Sequence, residues 1–449
     1  MQDVANWERD ADETMRGIKG RRASVSSFVS EDADFENNNE HAIDLRGRAS
    51  ERNELASIDA VLPARKSSRS LTRKELAQLT VEIRSLNRLL SASRVNLKAS
   101  QIMIVTKIYD TQPIEATATL VRYMTSQLQN IVPPFRIWLQ DKVWEHPSFD
   151  SKNLKRDLSD DIQIVLYSID GFQAEIQKPI DMVITLGGDG TVLFTSWLFQ
   201  EIVPPILTFN MGSLGFLNKY SFTQHETVIS DILARGVRCS LRMRFQVTLM
   251  KALNISGKLP GNRNLDEELV SEEKTHSTHA TYSVLNEVVL DRGPNPTMSS
   301  CDLYGDNQHL TAIEADGVVI STPTGSTAYS LSAGGSLVHP ELPAMLVTPI
   351  CPHTLSFRPF VVPDALVLKV GVPFNSRTTA WCSFDGRERV ELCQGDYLVV
   401  SASPFPFPLI HNGIDQEDWF VSLSETLGWN DRRRRKPFVT SEADAKGSP

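Results

Sequence analysis

The stretch Gly187-Gly188-Asp189-Gly190-Thr191 decides the fold of this chain. It follows an apolar run at residues 180–186 and precedes an amphipathic segment at residues 192–199. A strand, a glycine turn and a helix in that order make an anion-binding site. The glycines let the backbone approach a phosphate, and the helix N-terminus presents free N–H groups. A plain tight turn is the alternative interpretation, because glycine and aspartate are common turn formers.

The aspartate distinguishes this turn from an ordinary phosphate-binding loop. A carboxylate among phosphate-binding glycines repels phosphate, so its presence at Asp189 calls for a chemical reason. Such a group can accept the proton of a hydroxyl while that hydroxyl attacks a phosphoryl group. The turn therefore indicates phosphoryl transfer, with Asp189 as the candidate catalytic residue.

Composition limits the class of protein. The 449 residues suffice for two domains, and the net charge of −9 argues against a nucleic-acid-binding protein, which needs a basic surface. The five cysteines are scattered and never spaced as CxxC, so a zinc site or a disulfide framework is not predicted. We therefore predict no protein-bound metal and a cytoplasmic location. No apolar run is long enough for a membrane span. His276 and His279 lie in a polar segment and are predicted to be exposed.

The pattern along the chain predicts an α/β N-terminal domain with a Rossmann-like parallel sheet and an all-β, sandwich-like C-terminal domain. Strand and helix patterns alternate in the first, and short β runs, including one at residues 282–290, make up the second. The predicted segments are a disordered tail (1–71), an amphipathic helix (72–97), the α/β domain (98–237), the β-rich domain (238–410) with a polar insertion expected to be a loop (257–280), a C-terminal helix returning to the α/β domain (411–430) and a basic disordered tail (431–449).

The first tail contains one candidate regulatory site. Arg21 and Arg22 precede Ser24 at the spacing that basophilic protein kinases use, although such matches often arise by chance. A phosphate there would change the charge of the tail and could attract arginines.

Four further segments carry residues typical of ligand-binding turns. Asn210 opens a glycine-containing turn after a strand, and Asn286-Glu287 interrupts an apolar strand. Asp316-Gly317 begins a strand that ends in a turn at residues 322–330, and Asp385-Gly386 lies late in the β-rich domain. Taken alone, Asn286-Glu287 reads as an exposed strand edge, Asp385-Gly386 as a hairpin turn, and Tyr329 as a core residue.

Together, these segments resemble the NAD kinase family, in the order and spacing of its eukaryotic cytosolic type. The resemblance covers residues 98–430. Its specific element is Gly325-Ser326-Thr327-Ala328-Tyr329 with Asn286-Glu287 upstream, whereas lipid kinases and phosphofructokinases share turns like Gly-Gly-Asp-Gly. The family implies two domains with the active site between them. It also implies transfer of the ATP γ-phosphate to the 2′-hydroxyl of the adenosine ribose of NAD, giving NADP.

The resemblance also implies roles for particular residues. Asp189 would be the general base, and Gly187, Gly188, Gly190 and Thr191 would hold phosphates. Asn286 and Glu287 would bind ribose hydroxyls. The nicotinamide and adenine portions would be held by Asp316, Ser326, Thr327, Ala328 and Tyr329. Asn210 and Asp385 are further nucleotide-binding candidates. Mg²⁺ would arrive with ATP, and the family forms homo-oligomers.

Two observations leave alternatives open. Many bacterial members carry Arg-Ser before the Asp-Gly pair, where this chain has Glu314 and Ala315, so the choice between NAD and NADH is unsettled and NADH kinase activity is possible. A lipid or sugar kinase could use the same Asp189 turn. A dinucleotide-sensing protein is the third class, but such a protein would not need the carboxylate. No GxGxxG or P-loop motif supports a dehydrogenase or a P-loop enzyme.

Overall fold

A computed structural model describes most of the chain outside its two termini. The described residues are 94, 100–127, 135–157, 162–169, 172, 180–212, 215–254, 263–270, 273–354, 356–411 and 415–428. The predicted tails, the helix at 72–97 apart from Arg94, and Ser24 therefore lie outside them. The chain divides into one unit of residues 1–95 and 167–177 and a second unit of residues 96–166 and 178–449. Apart from Tyr167, the last residue of β3, both sheets described below belong to the second unit.

The first sheet has eight strands in the order β3-β2-β1-β4-β5-β19-β7, with β6 paired to β5. The pairings of β1 with β2 and β4, of β4 with β5, of β5 with β6 and of β5 with β19 are parallel, and β7 is antiparallel to β19. The strands are β1 (Gln101–Thr106), β2 (Phe135–Gln140), β3 (Ile162–Tyr167), β4 (Met182–Gly187), β5 (Ile206–Asn210), β6 (Tyr220–Ser221), β7 (Arg238–Arg242) and β19 (Phe407–His411).

Sequence explains why β1 and β4 lie at the centre of this sheet. Every residue of both strands is buried, as expected where helices cover both faces of a parallel sheet. The helices are α1 (Thr111–Gln127), α2 (Asp141–Glu145), α3 (Ser151–Asp157), α4 (Asp189–Leu198) and α5 (His225–Arg235), with 3-10 turns at Pro147–Phe149 and Phe222–Gln224. Ile104, Leu120, Ile184 and Phe209 are among the residues of the core.

The second sheet has eleven strands, and all of its recorded pairings are antiparallel. Its order is β17-β16-β10-β12-β11-β15-β18-β8-β9, with β13 joining β12 to β14. The strands are β8 (Phe245–Ala252), β9 (His276–Val284), β10 (Glu287–Asp291), β11 (Ser299–Gly305), β12 (Gln308–Ser321), β13 (Ala344–Pro352), β14 (Phe360–Pro363), β15 (Leu368–Gly371), β16 (Ala380–Phe384), β17 (Arg387–Leu392) and β18 (Tyr397–Ala402).

The two sheets confirm the α/β and all-β halves, but the chain crosses between them at places that differ from the predicted boundary. Strands β7 and β19, at the two ends of the predicted β-rich domain, pair in the first sheet. The reason is that short antiparallel β runs look alike in sequence whichever sheet they join. We use "α/β half" for the first sheet with its helices and "β half" for the second sheet.

The segment at 257–280 also differs from its prediction as a loop. It contains α6 (Leu265–Val270) and the start of β9, and Leu265 packs with Tyr304, Phe374 and Tyr397. His276 is buried rather than exposed, because its Nε2 pairs with the Gly395 carbonyl at 2.8 Å and its ring contacts Tyr397. The polar composition of this segment suggested a loop, but its polar groups have hydrogen-bond partners inside the fold.

The β run predicted at 282–290 is two strands, because Leu285 and Asn286 separate β9 from β10. Helices α7 (Tyr329–Ser332) and α8 (Asp415–Leu427) complete the described elements, with a 3-10 turn at Thr324–Thr327 before α7. In α8, Trp419 contacts the ring of His339; its return to the α/β half stays a prediction. No helix in the described residues is both long and apolar enough to cross a membrane.

Candidate active site

The turn between β4 and α4 has the predicted strand-turn-helix form. Gly188 is the N-cap residue, and the helix begins at Asp189. A Cβ on Gly187 would overlap the Thr191 side chain, so glycine is needed for the first helical turn to fold over the strand end. Gly188 and Gly190 face open space, whereas Thr191 is buried. The open side of the turn is therefore formed by the two glycines and the helix N-terminus, which favours an anion.

The Asp189 carboxylate is held by the segment that follows β5. Its Oδ2 accepts a hydrogen bond from Phe216 N at 2.9 Å, and its Oδ1 accepts from Leu217 N at 3.1 Å and from Asn218 Nδ2 at 2.8 Å. A Cβ on Gly215 would overlap the carboxylate. Because an ionised carboxylate offers about four lone-pair sites, Oδ2 keeps one for a further donor. The group is thus fixed in orientation and still able to accept a hydrogen bond from a further donor.

Asn210 lies beside this turn, as the parallel register requires. It pairs with Gly187 across β5 and β4, so both strand ends open at the same edge of the sheet. Its Oδ1 accepts from Gly212 N at 2.8 Å, which closes its own turn. Asn210 therefore fixes the start of the turn that follows β5.

Asn286 and Glu287 form the polar centre of the β half. Both residues are buried, and Asn286 Oδ1 and Glu287 Oε2 have no hydrogen-bond partner among the described residues. Buried polar atoms without partners are uncommon in folded proteins, so a ligand with hydroxyl donors fits here. A ribose supplies two such donors.

Burial and the charge of Asp385, opposed by a hydrogen bond from the Tyr329 backbone, together raise the pKa of the Glu287 carboxyl to about 8. Desolvation disfavours the ionised form of a carboxyl group. Without a ligand, Glu287 is therefore largely protonated at neutral pH. A protonated carboxyl can both donate and accept a hydrogen bond.

This raised pKa predicts a pH dependence of stability. Below pH 4.5 Glu287 is protonated in both the folded and the unfolded chain, and as pH rises toward 8 only the unfolded chain releases the proton. The contribution to stability is therefore complete at low pH and is lost as pH rises through about 8, with a slope of at most about 1.4 kcal/mol per pH unit. Glu287→Gln should flatten this part of the profile, measured by denaturant unfolding. Glu314→Gln is the control, since Glu314 is exposed; equal flattening in both variants would contradict the prediction.

Asp385 contacts the backbone of the predicted ligand-binding residues, while the nucleotide contact predicted for it stays a prediction. It is buried, and its Oδ1 accepts from Asn286 N and Glu287 N at 2.8 and 3.1 Å, while Oδ2 accepts from Leu285 N at 2.8 Å. Positive φ angles at Asp385 and Gly386 make the two-residue hairpin turn between β16 and β17. Asp385 therefore positions the backbone of Asn286 and Glu287 from behind.

The turn at 324–329 lies against Asn286. A Cβ on Gly325 would overlap the backbone of Asn286, and Thr322 N donates to the Asn286 carbonyl at 2.9 Å. Ser326 is buried and bonded to both the N–H and the carbonyl of Val338, so it anchors the turn. Tyr329 is 43% exposed and can offer its ring to a ligand, while Thr327 and Ala328 are half-buried.

Acidic groups lie near Tyr329. Burial raises the pKa of its hydroxyl, and the charges of Asp291 and Asp316 raise it further. Asp316 is 3.3 Å from Arg292 Nε and remains 38% exposed, and Asp291 is 3.0 Å from Arg389. The predicted residues of the β half thus lie near two ion pairs. No three His, Cys, Asp or Glu side chains in the described segments are grouped as metal ligands.

Sequence reasoning included Gly215 and Arg387 in their motifs without giving either a role of its own, and it missed Asn218. The Arg387 guanidinium lies over the rings of Phe194 and Trp197 on α4, at 5.2 and 5.5 Å from their centroids. Burial lowers its pKa to about 10, so it stays charged at neutral pH. Its position next to Asp385-Gly386 was the only signal in the sequence. Arg387 places a cation of the β half against the helix that begins at Asp189.

The fold and site define a nucleotide-binding phosphotransferase. One group of candidate ligand-binding residues lies in the α/β half and the other in the β half. Residues 102–237 match the ATP-NAD kinase N-terminal domain, and residues 285–412 match the ATP-NAD kinase C-terminal domain. The chain belongs to the ATP-NAD kinase family. This assignment confirms both the resemblance and the two-domain fold inferred from the sequence.

Relatives with printed functions agree with the assignment. The NAD(+) kinase of Saccharomyces cerevisiae is 36% identical over 439 residues, which cover 98% of this chain and 77% of that protein. The ATP-NADH kinase YEF1 of the same organism is 40% identical over 359 residues, covering 80% and 70%. The crystal structure of yeast NADH kinase complexed with NADH superposes with a TM-score of 0.61 at 28% identity, covering 75% and 89%. The matches span from 60% to 86% of the first four relatives' own lengths.

Proposed function

We propose that this protein transfers the γ-phosphate of ATP to the 2′-hydroxyl of the adenosine ribose of NAD, producing NADP. The observation that carries the proposal is the pair of buried, unpartnered oxygens on Asn286 and Glu287. A ribose diol supplies the donors that these oxygens lack. Membership of the ATP-NAD kinase family supports the same substrates.

The proposed mechanism assigns the proton to Asp189. The lone pair left on Oδ2 accepts the proton of the 2′-hydroxyl as its oxygen attacks the γ-phosphorus and the bond to ADP breaks. Gly188, Gly190 and the N-terminus of α4 stabilise the phosphate charge. Mg²⁺ arrives bound to ATP, and its role is to neutralise the phosphates.

The choice between NAD and NADH follows from charge. The nicotinamide ring of NAD is cationic and that of NADH is neutral. Asp291 and Asp316 near Tyr329 therefore favour NAD, although each carboxylate also pairs with an arginine. We propose NAD as the preferred substrate with additional activity on NADH, which the names of two relatives support.

Three further proposals rest mainly on the sequence. We propose a cytoplasmic location, and the five free cysteines agree with its reducing environment. Assembly as a homo-oligomer rests on the family resemblance. Phosphorylation of Ser24 by a basophilic protein kinase rests on the two preceding arginines.

The test uses purified full-length protein with Mg²⁺-ATP and NAD, with NADH in a parallel reaction. NADP formation is followed with an NADP-specific dehydrogenase. We expect NADP from NAD and a slower reaction with NADH. A folded protein that forms no NADP would contradict the proposal, and lipid and sugar acceptors would then be assayed in the same way.

A further inference from the structure

Arg244 occupies an unusual place between the two sheets. It lies between β7, in the first sheet, and β8, in the second, and it is completely buried. Its carbonyl accepts from Ser403 N at 2.8 Å, and its Nε donates to the carbonyl of Phe405 at 2.8 Å. Ser403 and Phe405 belong to the second crossing, between β18 and β19. One side chain thus ties together both places where the chain passes between sheets.

The rest of the guanidinium caps the C-terminal end of α4. It donates to the carbonyl of Phe199 at 2.7 Å and to that of Glu201 at 2.7 Å, with longer bonds to the carbonyls of Ser196 and Gln200. The last carbonyls of a helix have no partners within the helix and carry partial negative charge. Burial lowers the pKa of Arg244 to about 10, so the capping group is still a cation at neutral pH.

A second contact joins the same helix end to the dinucleotide-binding residues. Ser283 N donates to Gln200 Oε1 at 2.8 Å, and Ser283 Oγ donates to the Gln200 carbonyl. Ser283 lies on β9, opposite Gln246 of β8, and only three residues before Asn286. The neighbouring strands β8 and β9 therefore reach the end of α4 side by side.

Helix α4 runs from the Asp189 turn to the contacts made by Arg244 and Ser283. Its ten residues span about 15 Å, with Asp189 at one end and the Arg244 contacts at the other. Asp189 belongs to the α/β half, whereas Asn286 and Glu287 belong to the β half. Phosphoryl transfer requires these residues in one fixed geometry. A shift of about 1 Å in such an arrangement can lower the rate about 10²-fold.

We infer that Arg244, together with Ser283, is a positioning residue for phosphoryl transfer: it fixes α4, and thus Asp189, relative to Asn286 and Glu287. The inference rests on the proposed function. The Arg244 guanidinium bonds to backbone carbonyls of the protein, so Arg244 acts through the helix. Its replacement should therefore change the rate of the chemical step while leaving each half able to bind its ligand.

The test compares Arg244→Lys and Ser283→Ala with the matched control Arg263→Lys in the full-length protein. Arg263 also has a buried side chain, paired with Glu268 of α6 at 2.6 Å and bonded to the carbonyl of Leu253 after β8. These contacts lie away from α4. For each variant, kcat, KM for NAD and for ATP, calorimetric NAD affinity and the midpoint of thermal unfolding are measured.

We expect Arg244→Lys to lower kcat about 10²-fold with little change in either KM or in NAD affinity, because lysine keeps the charge but loses the planar fork. Ser283→Ala should lower kcat in the same way by a smaller factor. Arg263→Lys should lower the unfolding midpoint without lowering kcat. If Arg244→Lys does not fold, Ser283→Ala decides the question.

Wild-type kcat in Ser283→Ala and in a folded Arg244→Lys would overturn the inference while leaving the proposed function intact. An equal loss of kcat in Arg263→Lys would also overturn it, because general destabilisation would then explain the result. A folded wild-type protein without NADP formation would instead overturn the proposed function, and this inference with it.

Discussion

Replacing Asp189 with asparagine is expected to lower kcat for NADP formation by about 10³-fold, the usual contribution of a general base. Asparagine has nearly the same shape, but its amide cannot accept the proton of the 2′-hydroxyl. One of its atoms would also be an N–H₂ group facing the donors Phe216 N or Leu217 N. The measurement is steady-state kcat with saturating ATP and NAD, together with NAD affinity by calorimetry.

Asp181→Asn is the matched control for this substitution. Asp181 immediately precedes the first residue of β4, whereas Asp189 follows the last. The Asp181 carboxylate also accepts hydrogen bonds from two backbone groups, Ser100 N and Gln101 N, each at 2.8 Å. The control should lose stability and keep kcat. Retention of wild-type kcat in Asp189→Asn would exclude Asp189 as the proton acceptor, whereas equal losses in both variants would point to disruption of the sheet.

Asp385→Ala is expected to lower kcat/KM for NAD by about 10²-fold, although both carboxylate oxygens bond to backbone. The substitution leaves three buried N–H groups at residues 285–287 without their acceptor, which should also destabilise the protein by about 3 kcal/mol or more. Asn286 and Glu287 would then lose the support that aims them at the ribose. NAD affinity and denaturant unfolding are the measurements.

Asp306→Ala is the control that introduces alanine into a similar hairpin turn without removing the hydrogen bonds that Asp385 accepts from residues 285–287. Asp306 has a positive φ angle like Asp385, in the hairpin turn between β11 and β12, and its carboxylate accepts from Val367 N. Alanine is equally strained in both turns, but Asp306 has no contact with the ligand-binding residues. A similar loss of NAD affinity in the two variants would show that the effect at Asp385 comes from the turn alone.

The parts of the fold that were predictable depend on local pattern. The apolar run before Gly187 and the amphipathic segment after it place a strand and a helix on either side of a turn, so the Asp189 turn could be found from contiguous residues. Asp385-Gly386 was likewise recognisable as a hairpin, since both residues tolerate positive φ. In each case a few neighbouring residues determine the backbone.

The remaining parts depend on contacts between distant segments. Nothing near Arg244 indicates that its guanidinium reaches the end of α4, because the acceptors are backbone carbonyls far away in sequence. Asn218 was missed for the same reason, since its partner is the Asp189 carboxylate. The backbone contacts of the Asp385 carboxylate were missed too, because sequence does not show which backbone N–H groups face it.

The position of β7 next to β19 has a consequence for how the chain acquires its fold. These strands are antiparallel neighbours, with Arg242 opposite Phe407, and the entire β half is inserted between them. On the ribosome, β5 and β7 emerge long before the strand that separates them in the sheet. The α/β half therefore cannot be completed until the inserted half has been synthesised, and pairing across such a long sequence separation is slow. The insertion thus couples completion of the first sheet to synthesis of the β half.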